Sequence, residues 1–184
     1  DAPWTPDTIA RLYPMTKPIT SVAAMILHEE GRLKLTDPVA KYIPSFADTP
    51  VYRAGSFQAP ITEPQTEPMQ IWHLLTHTSG LTYGFHNSHA TDAIYRNDGF
   101  EWGIPPGLDL AACCERWAAL PLVFQPGSEW NYGVSTDVLG RVVEVISGQP
   151  LDEFLRERIT GPLGMVDTDF WVPEDKRDRF AELY

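Results

Sequence analysis

Residues 11–30 read RLYPMTKPITSVAAMILHEE, and the fold turns on them. Ile19, Val22, Ala23, Ile26 and Leu27 recur at the spacing that lines up side chains on one face of an α-helix, so a helix is expected over residues 15–30. Gly31 follows as its stop, because glycine adopts without penalty the left-handed conformation that ends helices. The first turn also bears on chemistry. Pro14 suits a helix start, where its missing N–H would have had no partner, and Lys17 comes three residues later, on the same face of the turn.

Beyond this helix, Pro38, Pro44, Pro50 and Pro60 punctuate a stretch to about residue 68 that reads as irregular, with at most short helical turns. Residues 69–75 lead into a short helix that breaks at Thr78, Ser79 and Gly80, and a loop with scattered aromatics runs on to Pro106. A helix over residues 108–120 stops before Pro121. Residues 122–124 and 129–132 flank a Gln125, Pro126, Gly127 turn and read as a small hairpin, the one convincing β signal. Ser135 is placed to cap a helix over residues 136–146, with Val138, Leu139, Val142, Val143 and Ile146 inward and Gly148 at its end, and a further helix follows over residues 151–159. The expected fold class is therefore mainly α with a minor β-hairpin. No repeat or shift in composition marks a boundary.

The length, 184 residues, fits one domain with a sizeable core, and 43% hydrophobic with 21% charged residues is ordinary globular composition. Against 14 Lys and Arg stand 25 Asp and Glu, a net charge of -11, which repels phosphate backbones and anionic lipid, so neither nucleic acid nor a membrane is an expected partner. Cys113 and Cys114 are neighbours in an apolar helical stretch, where a bridge between them would be strained; two buried free thiols are expected. They leave the compartment open, with the cytoplasm somewhat preferred to the periplasm. No run is apolar enough to span a bilayer, and no charged-then-apolar leader opens the chain, which starts at Asp1 and so reads as lacking an N-terminal piece.

Four segments, in this order, carry a resemblance: residues 11–22 (RLYPMTKPITSV), 74–85 (LLTHTSGLTYGF), 125–148 (QPGSEWNYGVSTDVLGRVVEVISG) and 161–170 (GPLGMVDTDF). Together they resemble the class C β-lactamase-like serine hydrolases, which include β-lactamases, penicillin-binding D-peptidases and carboxylesterases, with the esterase branch the nearest. The resemblance implies that residues 1–184 are a partial β-lactamase-like domain, comprising an S-x-x-K-type helix at 15–30, a loop segment at 74–85 and a tyrosine motif at 130–134. It implies the helical portion of the β-lactamase/transpeptidase-like (α+β) fold, with most of the sheet missing.

The activity so implied is hydrolysis of a small-molecule ester or amide through an acyl-serine. That route needs a serine hydroxyl at a helix start, an amine one turn later, a tyrosine to complete the proton relay and backbone N–H groups for the oxyanion. Matched residue by residue, Lys17 falls on the family's lysine, Tyr132 on its tyrosine, and Pro14 on its serine. No other lysine restores the pattern, since Gly31, Pro38 and Pro173 stand three positions before Lys34, Lys41 and Lys176. Loss of the nucleophile costs a factor of about a million in turnover, so the chain is expected to be inactive as written. The alternative is a non-catalytic relative that binds an acyl ligand or a protein partner. Tyr83 and Phe85 are expected substrate contacts, since this loop walls the cleft in relatives. Val134, which stands where many relatives carry the asparagine of Y-x-N, is a further substrate-side position. With the sheet missing, an apolar face is left uncovered, and self-association through it is expected.

Taken singly, Lys17 is an ordinary solvated lysine and Tyr132 a half-buried aromatic; the four matched segments reverse that reading. The aromatic loop residues serve equally as anchors that tether a long loop. His73 and His77, at i and i+4 with His86 and His89 close behind, make a zinc site the rival reading. No H-E-x-x-H is present, and no metal or cofactor is expected.

Overall fold

A computed structural model describes residues 3–182. The helix anticipated at the start of the chain is α1, Thr16–Glu29, entered through a 3-10 turn at Tyr13–Met15 with Pro14 near its start. Gly31 ends it at φ 71°. Its buried face is Thr20, Ala23, Ala24 and Leu27. Val22, expected inward, is 49% exposed, because small residues at 20, 23 and 24 let the partner helix lie closest there. That partner is α5, Ser135–Ser147. Val138, Leu139, Val142 and Val143 are buried on α5, while Ile146 packs at the margin. Gly140 makes the close approach possible, since a Cβ there would lie 2.9 Å from Leu151 on the next helix. That helix, α6 at Leu151–Leu155, runs into a π-helical turn at Arg156–Thr160.

Between α1 and α5 lie α2 (Ile71–Leu75), α3 (Ala90–Asn97) and α4 (Leu110–Ala119). One continuous core joins Leu27, Phe46, Leu74, Tyr95, Trp117, Leu139 and Phe154 across these elements. Cys113 and Cys114 are free and fully buried within it, and burial pushes both thiols upward. No helix among the described residues is long and apolar enough to cross a membrane.

Three local expectations are corrected. Residues 122–124 and 129–132 do not pair. Val123 donates instead to the Gly80 carbonyl at 2.8 Å, Gly127 to Thr78 at 2.7 Å and Asn131 to His77 at 2.9 Å, so both flanks satisfy their backbone on the 77–80 loop. The hairpin lies elsewhere, as antiparallel strands β1 (Val51–Ser56) and β2 (Ala59–Glu63) in the stretch expected to be irregular. Most of its residues are exposed on both faces, so it carries no apolar alternation to read. The cap of α5 is Val134, with no side-chain bond; the Ser135 hydroxyl is instead 2.8 Å from that of Ser79, tying the helix start to the 77–82 loop.

The turn after α1 is pinned by one carboxylate oxygen. Asp37 Oδ2 accepts from the Lys34 N–H at 2.9 Å, the Lys41 ammonium at 2.9 Å and the Tyr42 hydroxyl at 2.6 Å. Burial alone would raise this carboxyl, but the bonds from Tyr42, Lys41 and Lys34 outweigh it and hold the pKa at about 2, against an ordinary 3.8. A depressed carboxylate stabilises the fold above its unfolded pKa and loses that contribution as pH falls through the folded one. Asp37→Asn is therefore expected to cost roughly 1–2 kcal/mol near neutrality. Urea unfolding repeated from about pH 6 to about pH 2 should show the wild-type advantage shrinking below about pH 4.

The chain's two ends meet. Ile9 donates to the Arg179 carbonyl and Ala181 to that of Ile9, both at 2.8 Å, forming a parallel bridge between residues 9 and 180. Leu12, Met15, Leu163, Val166, Phe170 and Trp171 are exposed around this region.

Candidate active site

Lys17 projects from the first turn of α1 and reaches residues brought in by two loops. Its Nζ lies 4.6 Å from the centroid of the Tyr132 ring and 5.9 Å from that of Tyr83. An ammonium over aromatic faces is held by the ring quadrupoles, worth about 0.5–2 kcal/mol each, so the three side chains form one unit. Pro14 stands one turn earlier, exposed, at the helix entrance. Tyr13 before it takes φ 46°, the left-handed region that non-glycine residues enter only at a cost of about 1–2 kcal/mol. The chain thus turns sharply just before α1.

Tyr132 is positioned by the 77–82 loop, which is locked to residues 131–135 at four points. The His77 carbonyl accepts the Asn131 N–H, and the Asn131 side-chain amide donates to the Leu81 carbonyl at 3.1 Å. The Ser79 and Ser135 hydroxyls meet, and Gly133 packs directly on the Leu81 and Thr82 backbone. His77, with φ 57°, sets its ring 5.0 Å from that of Tyr132. Burial first, and then the Lys17 charge, lower its pKa and keep this imidazole neutral.

The cleft beside Lys17 has a volume of about 460 Å3 and is lined by Lys17, Thr20, Tyr83, Ile104, Thr136 and Asp137 among others. Of the expected substrate contacts, Tyr83 lines it directly and Phe85 stacks on Tyr83 at 4.9 Å and 18°. Val134 does not line it; its side chain is 4% exposed and lies in the core. A larger hollow of about 940 Å3 shares Tyr13, Thr16, Asp152 and Phe170 with the cleft but is not lined by Lys17, and lies largely between residues 6–13 and 167–182. Of the two spaces, only the smaller is lined by Lys17, and Tyr132 borders it through its contact with Lys17 rather than as part of its wall.

Asp137, which the sequence does not single out, joins the cleft. It sits in the first turn of α5 and lines the same cleft. Burial raises its carboxyl pKa, and the Lys17 ammonium pulls it partly back. An isolated aspartate in a helix gives no signal; its meeting with Lys17 is purely tertiary.

The four clustered histidines have separate surroundings. His73 Nδ1 accepts the Gln70 N–H at 2.9 Å, and burial lowers its pKa. His86 lies edge-on to Tyr83, while His89 caps α3 by accepting from the Thr91 N–H. Among the described residues, no group of three or more His, Cys, Asp or Glu is arranged to hold a metal ion.

Comparison with known proteins places these features in a family. The family model described as Beta-lactamase matches residues 1–184. Esterase EstB of Burkholderia gladioli is 39% identical over 184 residues, covering 99% of this chain and 43% of EstB. Among solved structures, EstCE1, described as a hydrolase with promiscuous acyltransferase activity, superposes with a TM-score of 0.81 at 31% identity, covering 97% of this chain and 43% of that one. Simvastatin synthase LovD from Aspergillus terreus gives 0.80 at 31% identity, with 97% and 43% covered. The chain spans less than half the length of these relatives.

Proposed function

The chain belongs to the beta-lactamase family, and from that premise we propose that it forms the helical part of an esterase-type acyl-transfer site in which position 14 supplies no nucleophile. The observation that carries the reading is the Lys17 ammonium 4.6 Å from the Tyr132 ring, at the mouth of a cleft, with Pro14 one turn ahead of it. The names of the relatives, an esterase and a hydrolase with acyltransferase activity, support the same chemistry. The substrate is a small ester or amide. In the intact reaction a hydroxyl at position 14 would attack the carbonyl carbon, its proton passing to the Lys17 and Tyr132 pair in the state where one of the two is unprotonated and from there to the departing alcohol or amine, and water would then release the acyl group by the same route. Proline has no hydroxyl, so the chain binds the substrate and leaves the bond whole.

On this reading residues 1–184 are one part of a β-lactamase-like domain. The exposed side chains Leu12, Met15, Phe170 and Trp171, with the hollow beside them, form the face that the rest of the sheet would cover. The isolated chain would hide that face by self-association.

A serine-directed fluorophosphonate separates the outcomes. The full-length protein with Pro14 is expected to take no label, and the Pro14→Ser variant to take one label, at position 14, by mass spectrometry. A restored variant that neither labels nor turns over an aryl ester overturns the hydrolase reading and favours a purely binding relative.

A further inference from the structure

Four aromatic rings run outward from Lys17 in a continuous series. The Tyr83 centroid lies 5.5 Å from that of Tyr132, Phe85 stacks on Tyr83 at 4.9 Å and 18°, and Trp102 lies parallel to Phe85 at 6.2 Å and 9°. Exposure climbs along it, from a half-buried Tyr83 to 38% for Phe85 and 82% for Trp102. An indole left this open while aligned with a second ring presents a flat apolar face to solvent.

The series is built, not accidental. Phe85 and Trp102 come from separate loops, and those loops are clamped together. The buried Asp92 carboxylate accepts from the Thr82 hydroxyl at 2.8 Å, the Ser88 N–H at 2.9 Å and the His89 N–H at 2.8 Å, fixing residues 82–89. Arg96 donates to the Gly84 carbonyl, and a Cβ at Gly84 would lie 2.5 Å from the Phe100 carbonyl, so the absence of a side chain at 84 lets residues 100–102 close on Phe85. Arg116 then holds residues 98–100 through an ion pair to Asp98 at 2.7 Å and a position 4.7 Å over the Phe100 ring.

We propose that Tyr83, Phe85 and Trp102 are a specificity track that receives a flat, uncharged aryl substituent of the ester whose carbonyl lies at Lys17 and Tyr132. Stacked rings favour planar apolar partners, and a chain of net charge -11 disfavours anionic ones. The proposal rests on the acyl-transfer reading for the place of the carbonyl. It makes Trp102, remote from the reacting atoms, the residue that selects among esters.

Calorimetric titration of the full-length protein with 2-naphthylmethyl acetate and with butyl acetate tests it. Trp102→Ala is expected to weaken the naphthyl ester roughly three- to tenfold and the butyl ester by less than about twofold, with Phe85→Ala acting the same way. Trp102→Phe, which keeps a ring, is expected to retain most of the naphthyl preference. Because Trp102 is exposed, its truncation should leave the thermal melt unchanged. Equal weakening of both esters, no weakening, or no binding of the naphthyl ester overturns the track. No bond breaks in this experiment, so its outcome is independent of fluorophosphonate labelling at position 14: a lost aryl preference with labelling intact removes the track alone, and a failed label with the preference intact removes the hydrolase reading alone.

Discussion

Replacing Pro14 with serine in the full-length protein is expected to raise hydrolysis of a short-chain aryl ester by roughly a million-fold, the usual worth of the nucleophile in a serine hydrolase. The variant should place its hydroxyl one helical turn before Lys17, whose ammonium already lies beside Tyr132. Folding should change little. Position 14 is exposed, and the fixed φ that proline supplies there is worth under about 1 kcal/mol. Release of the aryl alcohol under saturating ester reads the gain. Adding Lys17→Met to the serine variant should remove most of it at temperatures where the protein remains folded, and a double variant as fast as the single would show that Lys17 takes no part in the proton transfer.

Gly133→Ala carries the second large effect. A Cβ at this position would lie 2.7 Å from the Thr82 Cα and against the Leu81 carbonyl, backbone atoms that cannot swing away as a side-chain tip would. Overpacking of this kind costs about 3 kcal/mol, which urea unfolding would register directly. The strain falls on the segment that carries Tyr132, so in the Pro14→Ser background the substitution should also depress kcat at temperatures where the protein remains folded. A variant with unchanged stability would mean that the 77–82 loop yields easily and that Tyr132 is not rigidly placed.

The legible parts of this fold are those whose apolar residues keep step with a helix. The helices α1, α4 and α5 announce themselves through that period and through Gly31, Pro121 and Gly148 at their ends. In α1 the buried face is rotated from the most apolar one. Val22 is more apolar than Thr20, yet Thr20 is buried, its hydroxyl bonded back to the Thr16 carbonyl, because a small side chain suits the close crossing. Helix α3 carries little apolar signal because its interior face includes Thr91 and Asp92, polar residues that become satisfied only when His89 bonds the first and Thr82 and Ser88 close around the second. The hairpin was misplaced for the converse reason: Gln125, Pro126 and Gly127 do turn the chain, but the Gln125 side chain is drawn away by Glu63, Pro64 and Thr66. At the candidate site, Lys17 and Tyr132 each sit in a recognisable stretch, and the structure brings the two side chains together. Nothing local distinguishes Asp137, which lines the same cleft, or Trp102 from a surface aspartate and a loop tryptophan.

The pairing of residues 9 and 180 is a small fastening set apart from the helical core. Two backbone hydrogen bonds hold it, with Arg11 4.2 Å over the Phe180 ring, while the helices behind it are fastened by the core. Such a closure releases at a smaller free energy than global unfolding. The amides of Ile9 and Ala181 should therefore exchange their hydrogens well ahead of those in α5, and each release would free the segment leading into Tyr13 and the helix entrance. A faster exchange at these two amides than in α5 would show that the entrance to α1 is released separately from the core behind it.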